Sequence, residues 1–185
     1  MGSRIRHWQR GKVYSSVERT VDQQFLFVPN HREDNVLLRW DSPANALESS
    51  NDIIPEPSII NIIGSSIGRA LEKHPVKLHW VAGNINHIHS GFSPIGDELD
   101  ELSKFKQHAN SLIARGVNKT WERKGHLFSA RFRAEPSEDD ASAEQQLLYA
   151  LTNPVKDNQV AKVSQSPFFS VFDHLLHGTR LRFWY

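Results

Sequence analysis

The chain has 185 residues, a net charge of only +1 and no cysteine. It is long enough for one domain with a real core, disulfides and thiolate metal sites are excluded, and nucleic-acid contact would have to rest on local basic patches. No apolar run approaches a membrane span, and the basic start MGSRIRHWQRGK lacks the apolar stretch of a signal peptide, so a cytoplasmic location is expected.

Residues 1–11 read as a basic extension carrying Arg4, Arg6 and Arg10, residues 12–163 as the main domain, and residues 164–185 as an apolar appendage expected to continue beyond the chain. Within 12–29, Val13, Tyr14, Val17, Val21, Phe25, Phe27 and Val28 predict an extended segment interrupted near Asp22. Pro43, Pro55 and Pro57 mark 30–57 as mostly loop, with a short strand at Val36 to Trp40. From Ser58, the spacing of Ile59, Ile62, Ile63, Ile67, Ala70 and Leu71 predicts an amphipathic helix ending at His74-Pro75. Val76 to Ala82 is a strand, Gly83 to Asn86 a turn and His87 to Phe92 the returning strand.

Asp97, Glu98, Asp100 and Glu101 then open a helix, where negative charge suits the N-terminus. Its face is Leu99, Leu102, Phe105, Ala109, Leu112 and Ile113, and Gly116 is expected to end it. The run GHLFSARFRAE from Gly125 to Glu135 predicts one continuous strand. Ser137 to Asp140 suits a helix entry, leading to a helix over Ala141 to Thr152 that stops at Asn153-Pro154. The order β, α, β, β, α, β followed by a further helix is that of an α+β, ferredoxin-like split βαβ domain: an antiparallel sheet with helices on one face, plus a C-terminal helix.

Two spacings carry chemistry. A strand repeats every two residues, so His87 and His89 leave one face together and Ile88 the other; a helix would align Tyr149 with Asn153. Each is weak alone. Ten histidines make a His-x-His pair common by chance, Tyr149 among Leu147, Leu148 and Leu151 suits a core tyrosine, and Asn153 before a proline suits a helix stop. Arg123, Lys124, Arg131 and Arg133 are candidate nucleic-acid backbone contacts, and Trp8, Trp80 and Trp121 candidate platforms for stacking bases, beside the plainer reading of each as structure or surface. His126 is a candidate supporting group or a packed strand histidine.

The blocks NINHIH (84–89), LSKFKQHANSLIARGVNK (102–119), GHLFSARFRAEP (125–136) and LLYALTNPVKDNQV (147–160) resemble those of REP-associated tyrosine transposases and their insertion-sequence relatives, the single-tyrosine HUH transposases. SSVERTVDQQFLF and IGRALEKHPVKLHWVAG also resemble that family's first strand, first helix and second strand, so the likeness covers about 12–176. It implies that His87 and His89 are the metal-binding pair, Asn153 a further metal ligand and Tyr149 the catalytic nucleophile. The implied activity is metal-dependent cleavage and rejoining of single-stranded or hairpin DNA through a 5′-phosphotyrosine, by a monomer or a homodimer. Two departures stand out: Ser90-Gly91-Phe92 is less apolar than the usual aliphatic run, and Ile85 replaces a small residue or proline.

Two imidazoles and an amide bring no negative charge, so Mg2+ or Mn2+ is expected to bind firmly only with DNA phosphate present. Manganese is favoured because it suits imidazole better. Glu135 or Glu138 are candidate carboxylates. The alternatives are a domesticated DNA-binding protein that keeps the fold without cutting, and a metal-dependent hydrolase that needs no tyrosine.

Overall fold

The computed structural model describes residues 8–28, 59–96, 100–178 and 183. The strand expected at Val36 to Trp40, and Arg4, Arg6, Asp97, Glu98 and Leu99, lie outside them. Strand β1 is Tyr14–Arg19, followed by helix α1 (Ile59–Lys73), strands β2 (Val76–Gly83) and β3 (His87–Pro94), helix α2 (Glu101–Thr120), strand β4 (Arg133–Pro136), helix α3 (Asp140–Lys156) and the short helix α4 (Phe172–His177). The sheet order is β2-β3-β1-β4 and every neighbouring pair is antiparallel. This is the α+β, split βαβ arrangement expected of a ferredoxin-like domain.

Alternation along β3 separates two chemistries. Ile88 and Phe92 enter the main core with Ile59, Ile62, Ile63 and Ile67 of α1 and Leu102, Phe105, Ala109 and Ile113 of α2. His87 and His89 face the other side, where Trp80 and Ala82 of β2 form a second core with Ala150 and Leu151 of α3. Helices α1 and α2 therefore cover one face of the sheet, and α3 crosses the opposite one. Register enforces this sorting: Ala82 stands opposite His89, and Val17 and Arg19 of β1 stand opposite His89 and His87; a slip of one residue would exchange the faces.

Several expected boundaries move, each for a local reason. The first strand stops at Arg19 because Asp22 and Gln23 adopt left-handed φ of 51° and 53°, which no strand accommodates. Helix α2 runs past Gly116 to Thr120. That glycine is a packing device, since a side chain there would strike Ile62 of α1. The strand expected over Gly125 to Glu135 is reduced to Arg133–Pro136, with one bridge from Phe128 to Thr20. Leu127 and Phe132 both enter the main core, yet they are an odd number of residues apart, so strict alternation would send them to opposite faces. The chain leaves strand geometry between them.

Helix α3 begins with a reciprocal capping box: Asp139 Oδ1 accepts from Ser142 N at 2.7 Å and Ser142 Oγ from Asp139 N at 3.2 Å. It continues through Pro154 to Lys156, one turn beyond the expected stop. Pro154 supplies no N–H, but Asn153 and Pro154 are buried and Asp157 N still donates to Asn153 O at 2.9 Å. At the outer edge of β2, Val171 N donates to Val81 O at 3.0 Å and Ser170 bridges Ala82. Phe169 joins the main core there.

Candidate metal and nucleophile site

The tight β2–β3 turn delivers the histidine pair. Asn84 N donates to His87 O at 2.8 Å, and Asn84 Oδ1 accepts from Ile85 N at 2.6 Å. Asn86 Nδ2 donates to Gln23 O at 3.2 Å, which turns Asn86 Oδ1 toward His87 Nδ1, 2.7 Å away. A carboxamide oxygen only accepts, so His87 carries its proton on Nδ1 and leaves the lone pair on Nε2. That lone pair points at α3.

Asn153 receives it. Its Nδ2 lies 2.7 Å from His87 Nε2 and 3.4 Å from His89 Nε2, and all three residues are 5% exposed or less. The imidazole centroids are 4.8 Å apart. One amide thus sits where two ring nitrogens converge, and exchanging the ends of that amide would direct three lone-pair donors to one point. Burial pushes His87 down to about 4, helped by the positive charge of Arg19. His89 is pushed down to about 3, again chiefly by burial, then by His87 and Arg19, with Asp157 opposing. Both rings are therefore neutral near pH 7, the form that binds a metal.

Tyr149 lies one turn before Asn153, its ring 5.8 Å from that of His89 and nearly perpendicular to it. It is 50% exposed, so it is not the core tyrosine its apolar neighbours suggested. Its hydroxyl makes no hydrogen bond among the described residues. The same helix face continues to Lys156, whose Nζ stands 4.4 Å from the Tyr149 ring centroid, and to Asp157, whose Oδ2 accepts from Asn84 Nδ2 at 3.0 Å. Among the described residues, no three His, Asp or Glu side chains gather to hold a metal. The neutral His87, His89 and Asn153 set fits a divalent cation only with further oxygen ligands from beyond this group, DNA phosphate being one source.

The other candidates separate. Arg133 is exposed on the histidine-bearing face, opposite Val17, and Glu135 stands beside it opposite Ser15. Lys124 and Arg131 are exposed. Arg123 is tied to Asn118 Oδ1 and Gln24 Oε1, both at 2.9 Å. Trp80 is closed over Gly91, where any side chain would strike its ring; Gly91 is thereby explained as the departure that admits Trp80 beside the histidines. Trp8 is buried edge-on against Tyr14. Neither is available for stacking, whereas Trp121, its Nε1 donating to Leu26 O, remains 37% exposed. His126 is exposed in the loop before β4, not packed in a strand.

Sequence reasoning missed Arg19, Asn84, Lys156 and Asp157. Lys156 had a signal, since it falls two turns after Tyr149. Arg19 and Asn84 reach the site only through strand pairing.

No protein-family model and no curated protein matches the sequence. A solved structure of a REP-associated tyrosine transposase bound to a REP hairpin is similar over 100% of this chain and 92% of its own, with a TM-score of 0.60 at 17% identity. At that identity the likeness shows the fold. Among the described residues, no helix is long and apolar enough to cross a membrane.

Proposed function

We propose that this protein is a metal-dependent single-stranded DNA transposase or endonuclease of the HUH type, cleaving and rejoining DNA through a 5′-phosphotyrosine on Tyr149. The observation that carries this reading is the convergence of His87 Nε2 and His89 Nε2 on Asn153, with the half-exposed Tyr149 ring against His89. A fold shared with a transposase bound to a DNA hairpin supports it.

In this mechanism the Tyr149 oxygen forms a bond to the scissile phosphorus and its proton passes to solvent. The bond from phosphorus to O3′ breaks, and that oxygen takes up a proton to become a free 3′-hydroxyl. The phosphotyrosine diester keeps the energy of the broken bond, so a second 3′-hydroxyl reverses the step without a nucleotide cofactor. His87, His89 and Asn153 would hold Mn2+ or Mg2+, which supplies polarisation of the phosphate and neutralises charge in the in-line transition state. Asn86 fixes the His87 tautomer, and α3 carries the nucleophile and the third ligand together, one turn apart. Arg133, Lys124 and Arg131 contact the DNA backbone, with Arg123 beside them. The unit that does this is the 12–163 domain together with Trp8 and Phe169, which pack into its core from the flanking segments.

The test is incubation of labelled single-stranded and hairpin oligonucleotides with protein and manganese, followed by denaturing electrophoresis. A covalent adduct is expected with the native protein, and with Tyr149→Phe a loss on the order of a thousandfold or more. An adduct that survives the substitution sinks the assignment; cleavage without an adduct selects a hydrolase, and binding without cleavage selects a domesticated DNA binder.

A further inference from the structure

Tyr149 presents a problem for the transfer just proposed. Half of its surface is open to solvent, and among the described residues its hydroxyl has no partner and its ring neighbours of defined geometry are His89 on one side and Lys156 on the other. A half-exposed ring exchanges rotamers freely unless its contacts choose one, and an in-line attack requires the oxygen in one place.

We propose that Lys156 is a positioning residue for the nucleophile: its ammonium caps the face of the Tyr149 ring and holds the ring against His89 in the attacking rotamer. This rests on the phosphotyrosine reading of the site. Lys156 Nζ is 4.4 Å from the ring centroid, within the range where a cation is attracted to the negative face of an aromatic ring. Lys156 is itself exposed, and no carboxylate among the described residues pairs with it, so the ring competes for its charge with solvent and with no fixed anion among those residues. The turn that carries it is anchored. Asp157 N donates to Asn153 O, Asn158 N to Val155 O at 3.0 Å, and the Asp157 carboxylate accepts from Asn84, itself 1% exposed in the turn that leads into His87. The helix that loses a backbone bond at Pro154 is thus tied back to the histidine strand at the residue next to Lys156. Lysine and ring form a clasp within one helix.

The experiment compares native protein with Lys156→Met, which keeps the apolar stem, and Lys156→Arg, which keeps the charge. Adduct formation is followed in single turnover with saturating hairpin oligonucleotide and manganese, and DNA affinity is measured separately by anisotropy in chelator across a salt series. For Lys156→Met the rate at saturation should fall about two- to fivefold, the span expected of one partly exposed cation–ring contact. Its dissociation constant and salt slope should stay unchanged, and Lys156→Arg should restore the rate.

An unchanged rate in Lys156→Met overturns the proposal. So does a loss confined to affinity and salt slope, which marks Lys156 as a DNA phosphate contact, and so does a failure of arginine to rescue. A second measurement is independent of activity: in the metal-free protein the Lys156 ε-methylene protons should show an upfield ring-current shift that disappears in Tyr149→Leu. Absence of that shift overturns the clasp whatever the chemistry. Absence of any adduct in native protein, with the ring-current shift present, counts against the transfer reading and leaves the clasp itself standing.

Discussion

On the face of β3 that meets α1 and α2, Ile88 and Phe92 are enclosed by carbon, and the polar groups close on one another. Ser90 Oγ bonds Ser16 Oγ and accepts from Lys106 Nζ, both at 3.0 Å, and Lys106 pairs with Glu18 at 2.9 Å, a contact oriented as an ion pair more than as a hydrogen bond. Lys106 and Glu18 are only 4% and 3% exposed. On the opposite face, His87 and His89 are as deeply buried, yet both are neutral and both direct ring nitrogens at a single amide. The first face pairs Lys106 with Glu18 and Ser90 with Ser16 internally, and these contacts tie β1, β3 and α2 together. The second directs two imidazole lone pairs at one amide that can turn its oxygen toward the same point, which is the convergence a cation requires.

Protons should disturb the second face most. In metal-free protein both histidines have folded-state values below the ordinary 6.5, at about 4 and about 3, so between those limits the unfolded chain binds more protons than the folded one. Stability is then complete above about pH 6.5 and falls as pH drops toward 4 and then 3. Denaturant midpoints measured across that window should show the loss, and the pair His87→Gln with His89→Gln should flatten it. A flat native profile would mean that the two faces are electrostatically alike.

The first face is broken by Lys106→Met, which strands a buried carboxylate. A cost of about 3–5 kcal/mol is expected, largely recovered when Glu18→Leu is added; equal stabilities for the single and double variants would remove the ion pair from the argument. Adduct formation per folded molecule should be unaffected, because Lys106 lies behind the sheet.

A smaller effect sharpens the comparison. Asn86→Ala should leave the fold intact while weakening manganese binding, measured by calorimetry with DNA present, by about 10–100-fold, since it frees the His87 tautomer. If affinity is unchanged, His87 is not held for metal binding by Asn86.

Much of this was legible locally. The amphipathic spacing of α1, the β2–β3 hairpin and the shared face of Tyr149 and Asn153 all appear where periodicity placed them. Where the expectation slipped, a distant partner overrode a local signal. Gly116 looks like a helix stop until Ile62 is packed against it, and Pro154 like another until its burial and the Asp157–Asn84 bond carry α3 one turn further. Residues 125–135 alternate like a strand, but Leu127 and Phe132 share one core, and the chain is irregular between them. The availability of Trp8 and Trp80 was not legible at all, because exposure of a tryptophan depends on what folds over it.

By itself the sequence determined the periods: which residues share a side of β3, which share a side of α3, and the order of elements that makes the sheet antiparallel. These follow from the geometry of the backbone within a few residues. That the histidine side of β3 meets the Tyr149 side of α3 was implied only by the likeness of whole blocks. The tertiary structure alone decided that Asn86 faces His87 Nδ1, that Lys156 lies over the Tyr149 ring and that Asp157 bonds Asn84. Those depend on register across the sheet and on burial by segments far away in the chain, and no local spacing encodes them.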